Sequence, residues 1–490
     1  MKKLLPLTAT LAFATLFWPG LTDGAGAAGL PHFKVKPALI PSFDWNQHDY
    51  AVRCKGRKVK LDFHLPTGWR AAIGNHNVNE GDHTFRLTMK DGQRHLVRIR
   101  QKDGPGKRDM NLRCLPRDFS PFEVKTSGPG GPRLTLVQLH NGYAAAFDSG
   151  GAPVWWFQGK GNSGTSKDLH LENVQFMPDG TFSYAPIDGV YGRQFQIRTL
   201  EGRLIRSLSA AKGLSTDLHD LQLLPNGNYL LGAHRIVDGI NTSAYGGPAS
   251  ASIDTAQVQE LRPNGSLAWK WNAWPRVGLS QSGRWWKQLL QWGQPYDIHH
   301  WNSVARRGRY MLLSFRHLDA VLRIDRRSGR IVWKLGGTKT GKRLRVLNDP
   351  RGRYPFGGQH DARMAPGGSV TIFDNNTNFN DATRKPPRAV RYRIDRRRGT
   401  AKLMSQVTDP RINFSIGFGS ARLDKDGNWL VGWGAIGPGG LVGGYRPGGK
   451  PTFSLTTPAG PTYRANVVAS GRPTIKRLRL AMDRVFNRQR

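Results

Sequence analysis

The sequence predicts an all-β protein built largely from one repeated unit. Three observations support this prediction: short segments alternate between apolar and polar residues with a period of two, a strand–turn–strand motif recurs, and a helical pattern is nearly absent before the last residues. Of the 490 residues, 38% are hydrophobic and 10% are aromatic, which is enough to build a core. This composition excludes a largely disordered chain.

Residues 1–27 are expected to be a secretory signal peptide. Lys2 and Lys3 give a positive start, an apolar run extends from Leu4 to Trp18, and a small-residue cleavage site follows at residues 25–27. The apolar run is too short for a transmembrane helix, which needs about 20 residues. We therefore expect a secreted or extracytoplasmic protein with no transmembrane span after signal removal.

Residues 38–120 are predicted to form a small β-sandwich-like domain. Alternating segments at 59–65, 83–89 and 95–100 are separated by polar turns, and a Pro- and Gly-rich linker follows at 116–132. The two cysteines, Cys54 and Cys114, bracket this domain. Because an oxidising compartment preserves disulfides, we expect these cysteines to be bonded. Two cysteines exclude both a disulfide-dense scaffold and a paired-CxxC zinc module.

Residues 130–470 are predicted to form a six-bladed β-propeller. One unit begins Leu218-His-Asp-Leu-Gln-Leu-Leu-Pro-Asn-Gly, and similar units begin near residues 137, 169, 299, 359 and 419. Each holds two hairpins, so six units of about 40–80 residues give six four-stranded blades. A late strand near Tyr463 is expected to close the ring. The basic tail, 471–490, is predicted to be a surface helix, with a cell-surface anchor as the alternative.

Histidines open the first strand of four successive units, and ring symmetry would bring them towards one axis. They are His170, His219, the pair His299-His300, and His360. Clustered imidazoles suit zinc, but Arg316 would place a fixed cation beside the metal, and the cluster lacks a repeating carboxylate partner beyond Asp220 and Asp361. No metal site is therefore predicted. Histidines with an arginine instead favour a pocket for a tetrahedral oxyanion, in which one histidine is the nucleophile and others move protons.

Several motifs, in this order, resemble those of the arylsulfotransferases that work without the nucleotide donor PAPS. They are Asp297-Ile-His-His-Trp-Asn-Ser-Val, Ser314-Phe-Arg-His, Ile331-Val-Trp-Lys-Leu-Gly-Gly, Gln359-His-Asp-Ala-Arg and Phe373-Asp-Asn-Asn. The resemblance runs over most of residues 130–470. It implies a six-bladed propeller after a small β-domain, a sulfuryl transfer from an aryl sulfate to a phenolic acceptor, and no cofactor.

The resemblance also implies residue roles. His360 matches the histidine that is transiently sulfated, and His300 matches one that assists proton transfer. Arg316 matches the arginine that neutralises the sulfuryl oxygens, Asn302 would add a hydrogen bond to them, and His219 matches a further site histidine. The neighbours His299 and His317 are expected to point the other way and to be structural.

Two further features leave alternatives open. An insertion at 234–296 carries tryptophans that are expected to pack between blades, although they would also suit an aromatic acceptor site or a lid: Trp271, Trp274, Trp285, Trp286 and Trp292. The formal net charge of +39 indicates an anionic partner, and contact with an anionic cell envelope is one expectation. The alternative function is a non-catalytic propeller that binds anionic glycans or cell-wall polymers. A metal-dependent hydrolase ranks below it, and nucleic-acid binding ranks lowest.

Overall fold

The computed structural model describes residues 29–54, 58–127, 132–160, 169–187, 194–352, 354–377, 385–467 and 472–486. The expected signal peptide, residues 1–27, lies outside the described residues. The prediction of an all-β protein is confirmed, because the described residues form 35 strands and two α-helices. No helix among them is long and apolar enough to cross a membrane.

The N-terminal part consists of a three-stranded sheet, ordered β1-β3-β6, and a five-stranded sheet, ordered β2-β8-β7-β4-β5. Alternate residues of β3, from Val59 to Leu65, are buried in a separate core. The expected disulfide between Cys54 and Cys114 is present. The strands are β1 (His32–Lys36), β2 (Asp49–Arg53), β3 (Lys58–Leu65), β4 (Trp69–Ile73), β5 (His76–Val78), β6 (Gly81–Thr88), β7 (Arg94–Gln101) and β8 (Lys107–Leu115).

Six further sheets follow in the described part of the chain, each with a core of four antiparallel strands. The strands are β9 (Glu123–Thr126), β10 (Leu134–Leu139), β11 (Tyr143–Asp148), β12 (Pro153–Gln158), β13 (His170–Phe176), β14 (Phe182–Ile187), β15 (Phe195–Arg198), β16 (Leu204–Leu208), β17 (Ser215–Leu223), β18 (Tyr229–Ile240), β19 (Ala251–Leu261), β20 (Leu267–Asn272), β21 (Tyr296–Asp297), β22 (Trp301–Arg307), β23 (Tyr310–Phe315), β24 (Ala320–Asp325), β25 (Ile331–Gly336), β26 (Arg345–Leu347), β27 (His360–Ala365), β28 (Ser369–Asp374), β29 (Arg388–Asp395), β30 (Thr400–Val407), β31 (Ser420–Leu423), β32 (Trp429–Trp433), β33 (Gly440–Tyr445), β34 (Pro451–Thr457) and β35 (Ala465–Val467).

The order of the strands brings the two ends of this region together. Five sheets are formed by consecutive strands, β13–β16, β17–β20, β22–β25, β27–β30 and β31–β34, whereas the first is ordered β12-β11-β10-β35. Strand β9, in the segment expected to be a linker, instead pairs with β34. The opening strands β10, β13, β17, β22, β27 and β31 contact one another in sequence order, and β35 contacts both β31 and β10. The late strand therefore completes a ring of sheets.

The first hairpin of each unit is set by a recurring turn. Gly180 and Gly227 have φ of 84° and 81°, a left-handed conformation that glycine adopts without steric cost. At the histidine or just after it, the opening strand shifts register against its partner in four sheets. A bulge of this kind redirects the side chains beside it. The backbone of His300 is also left-handed, with φ of 46°.

Two α-helices interrupt the β-structure, α1 (Trp286–Trp292) and α2 (Ile475–Phe486). The basic tail was expected to be a surface helix, and α2 exposes Lys476, Arg477 and Arg484, whereas Arg479 is partly buried beside Asp49. The other face of α2 packs against the sheet β12-β11-β10-β35, because Leu478, Ala481 and Met482 are buried in the same core as residues of that sheet.

Candidate active site

Three of the predicted histidines lie together at the starts of neighbouring opening strands. His219 lies in β17, His300 immediately precedes β22, and His360 begins β27. The ring centroid of His219 lies 5.1 Å from that of His300 and 5.9 Å from that of His360. The fourth candidate, His170, lies instead beside His140, with 6.3 Å between their ring centroids.

His219 and His300 are each held by a carboxylate. Nδ1 of His219 lies 2.7 Å from Oδ1 of Asp217, and Nδ1 of His300 lies 2.6 Å from Oδ2 of Asp297. A carboxylate accepts, so Nδ1 carries the proton and Nε2 is left for a substrate. Burial lowers the pKa of His300, while the charge of Asp297 opposes this effect.

His360 has the most enclosed imidazole of the three. Its Nδ1 donates to the backbone oxygen of Gly419 over 2.7 Å, and its Nε2 is buried with no hydrogen-bond partner among the described residues. Burial, and then the charges of Arg464 and His219, hold the pKa of His360 well below its usual range. A neutral imidazole with a free lone pair on Nε2 is the form that a nucleophile requires.

Arg316 lies at the edge of this cluster, in a short 3₁₀ turn rather than in a strand. Its backbone N–H donates to the carbonyl of His300 over 2.9 Å. Its guanidinium donates to the carbonyl of Ile416 over 2.7 Å and lies 5.2 Å from the ring centroid of Trp285. Burial lowers the pKa of Arg316 to about 10, so the side chain still carries a positive charge at neutral pH.

Asn302 joins two of the strands that carry the site. Its side-chain nitrogen donates to the carbonyl of Gln359 over 2.8 Å, which fixes the residue before His360. Its Oδ1 is buried and has no partner within the described chain. Gln359 in turn donates to the carbonyl of Phe315, the residue before Arg316, over 3.0 Å. Asn302 thus positions His360, and its bond to a substrate stays a prediction.

The prediction about the two neighbouring histidines is right for one and wrong for the other. His299 is fully buried, and its Nδ1 lies 2.7 Å from the hydroxyl of Thr255, as a structural residue should. His317, however, lies against the site, with its ring centroid 4.5 Å from that of His300. Strand alternation does not apply to it, because β23 ends at Phe315 and the turn directs both Arg316 and His317 towards the cluster.

Two tryptophans of the insertion border the site. The ring centroids of Trp285 and Trp292 lie 4.5 Å and 5.5 Å from that of His317. The side chain of Trp292 is 52% exposed. Trp271, in contrast, packs in the core between the sheets β17–β20 and β22–β25, as expected.

The sequence profile of the family Arylsulfotransferase (ASST) matches residues 123–452, and this region contains all of the site residues above. The chain belongs to the arylsulfotransferase family. No curated protein matches it.

Among solved structures, the dihydro-heme d1 dehydrogenase NirN in complex with DHE is 11% identical, with a TM-score of 0.32, over 71% of this chain and 80% of that one. Apo AztD from Citrobacter koseri is also 11% identical, with a TM-score of 0.31, over 82% of this chain and 98% of that one. Similarities this weak support no inference about the ligand or the activity of this chain.

The candidate site also contains residues that the sequence did not assign to it. Tyr463, just before β35, donates from its hydroxyl to the carbonyl of His219 over 3.0 Å, and its ring centroid lies 5.5 Å from that of His360. Glu172, in β13, interacts electrostatically with His219, and burial raises its pKa to about 7. A signal for Glu172 exists in the repeat. Glu172, His219 and His360 each precede the turn proline (Pro178, Pro225, Pro366) by six residues.

One group in this arylsulfotransferase has the composition of a metal site. Ligand atoms of Asp297, His300 and His317 lie within 4.8 Å of one another. Two imidazoles and a carboxylate can bind zinc. Burial, however, lowers the pKa of both histidines, and the positive charge of Arg316 lowers it further. A cation that disfavours their protonation also repels a metal ion.

Proposed function

We propose that this protein is a PAPS-independent aryl sulfotransferase that uses His360 as its nucleophile, in a six-bladed propeller formed by the six sheets. Family membership supports the general activity. The observation that carries the mechanism is the buried Nε2 of His360, which has no partner among the described residues. The His360 ring lies beside that of His219, which in turn contacts the ring of His300.

The proposed reaction has two half-reactions. In the first, Nε2 of His360 forms a bond to the sulfur of an aryl sulfate, and the bond from sulfur to the aryl oxygen breaks. The leaving oxygen takes a proton from His300 or His219. In the second, the oxygen of an acceptor phenol forms a bond to sulfur, the N–S bond breaks, and the phenol proton returns to the enzyme. This is a ping-pong reaction through a sulfohistidine.

The surroundings of His360 suit both half-reactions. The carbonyl of Gly419 can stabilise the positive charge that develops on the ring, since it already accepts from Nδ1. Arg316 can neutralise the sulfuryl oxygens. Asp297 holds His300 in one orientation and stabilises its protonated form. Glu172 supplies a carboxylate whose pKa of about 7 suits acceptance of a proton from the acceptor phenol.

The test is a chromogenic aryl sulfate incubated with and without an acceptor phenol. We expect transfer to the acceptor, and one added sulfuryl group on the protein when donor is present alone. His360→Asn should lose both, whereas His299→Asn, at a structural histidine, should keep the added mass if it folds. Equal transfer by His360→Asn and the parent protein would refute the mechanism.

The group of Asp297, His300 and His317 supports a second candidate, a metal-dependent hydrolase. Hydrolysis of the ester without transfer, lost on chelation and restored by zinc, would favour it. Binding of anionic glycans by an inactive protein would instead favour the non-catalytic alternative. Export, and contact with an anionic cell envelope, remain part of the proposal. The disulfide between Cys54 and Cys114 supports an oxidising compartment.

A further inference from the structure

A cavity separate from the histidine site, here called the arginine cavity, is lined by residues of the opening strands β22, β27 and β31. It has a volume of about 410 Å³. Arg363 follows His360 by three residues in β27 and lines this cavity. No carboxylate of the described residues lines this cavity, whereas four arginines do: Arg306, Arg307, Arg363 and Arg422.

A buried ion-pair network lies between the histidines and the arginine cavity. Asp220 and Asp361 directly follow His219 and His360, and each contacts Arg363, over 2.7 Å and 2.8 Å. Asp361 also lies 2.9 Å from Arg422. Arg464, only 1% exposed, bridges the two aspartates over 3.2 Å and 3.3 Å. Three guanidinium groups thus share two carboxylates.

Of Arg363, Arg422 and Arg464, Arg422 is the one whose positive charge contacts only one carboxylate. It uses Nη2 for Asp361, while its Nε is buried and has no hydrogen-bond partner within the described residues. Its side chain is 18% exposed, so water reaches only part of it. Burial, and then the charge of Arg363, lower the pKa of Arg422 to about 9. A buried guanidinium with unused donors is unfavourable unless an anion joins it.

We propose that the arginine cavity binds a tetrahedral oxyanion, a sulfate or phosphate group, through Arg422 and Arg307. A guanidinium offers paired donors that match the oxygens of such a group. The exposed side chain of Arg307 adds a second cation at the cavity wall. The volume is within the range of small-molecule sites, so the group can be a free ion or the end of an ester. This site is separate from the histidines and does not depend on the proposed sulfotransfer.

The test is isothermal titration calorimetry of the full chain with inorganic sulfate, inorganic phosphate and phenyl phosphate, at constant ionic strength. We expect binding that weakens about tenfold in Arg422→Gln, as the loss of one charge-assisted contact predicts. The matched control is Arg398→Gln, at a side chain that is 84% exposed, and it should bind like the parent protein. Tighter binding of the inorganic ions would identify a free ion as the ligand, and tighter binding of phenyl phosphate would identify an ester.

Arg316→Gln separates this cavity from the histidine site, because it removes the cation there and leaves the arginine cavity unchanged. Binding should survive in Arg316→Gln. If Arg422→Gln does not fold, Arg307→Gln takes its place, since this exposed residue has no structural partner to lose among those described. Loss of all binding in Arg316→Gln, or affinities for all three anions that are equal in Arg422→Gln and the parent, would overturn the proposal.

Discussion

At the scale of single residues, Glu172 is the group whose environment most changes its chemistry. It occupies in β13 the position that His219 and His360 occupy in β17 and β27, six residues before the turn proline. Burial raises its pKa to about 7, although the charges of His219 and Arg464 oppose this effect. A carboxyl group that titrates near neutral pH can exchange a proton with a phenol, which an ordinary glutamate does poorly.

The raised pKa of Glu172 makes a prediction about stability. The folded protein holds this proton up to about pH 7, whereas the unfolded chain releases it near the ordinary value of 4.5. Between these values the unfolded state binds fewer protons, so the wild type loses stability as pH rises. Glu172→Gln cannot ionise. We expect its melting temperature to gain on that of the wild type from pH 5 to 7 and to level off above. A difference that is constant over this range would contradict the assignment.

At the scale of elements, the turn over residues 316–318 and the bulges explain which parts of the site were predictable. The period-two pattern correctly predicted strands such as β3, β6 and β7. The repeat singled out His219, His300 and His360, because they open successive units, and Arg316 was found through a recognisable motif. The predicted orientation of His317 was wrong, because the alternation of a strand does not continue beyond Phe315, where β23 ends.

The segment around α1 makes a prediction about specificity. Trp292 presents an exposed ring beside His317, at the border of the histidine site. An aromatic acceptor can stack on such a ring, and stacking is worth about 0.5–1.5 kcal/mol. We expect Trp292→Ala to raise the KM for a phenolic acceptor about threefold to tenfold, with a smaller change in kcat, and Trp292→Phe to restore most of the affinity.

The control for this prediction lies in the same helix. Lys287 is exposed in α1, and Lys287→Ala should leave the KM unchanged. Steady-state kinetics with varied acceptor and saturating donor measure both values. An equal KM for Trp292→Ala and the parent would show that the acceptor does not use this ring.

At the scale of the whole molecule, contacts between distant parts of the chain complete what the repeats begin. The repeat units predict the strands of each sheet, and Tyr463 was expected to lie near a closing strand, which β35 supplies. The network of Arg464 was not predictable, because it joins Asn173, Asp220 and Asp361, which belong to three different sheets. A single sequence without aligned relatives does not indicate which distant charges become partners.

Helix α2 joins the N-terminal sheets to the ring, and its ion pairs make a prediction about stability. Asp483 lies 2.8 Å from Arg94 and 2.7 Å from Arg113, whose side chain is only 4% exposed. Burial alone would raise the pKa of Asp483, but the bonds to Arg94 and Arg113 outweigh it and lower the pKa. The stabilisation should therefore be complete above the ordinary pKa of an aspartate and disappear as pH falls through the lowered value.

We expect Asp483→Asn to lower the free energy of unfolding by about 2 kcal/mol at pH 7, because it leaves the buried Arg113 without its carboxylate. At pH 3, which lies below the ordinary pKa of an aspartate, the loss should be smaller, because the wild type has by then lost part of this stabilisation. Arg484→Ala is the matched control in the same helix. Its ion pair with Glu201 is 61% exposed on the arginine side and should contribute less than about 1 kcal/mol. Denaturant titrations at both pH values measure these differences. A loss in Asp483→Asn that is as large at pH 3 as at pH 7 would mean that α2 is held by its apolar face and not by this charge.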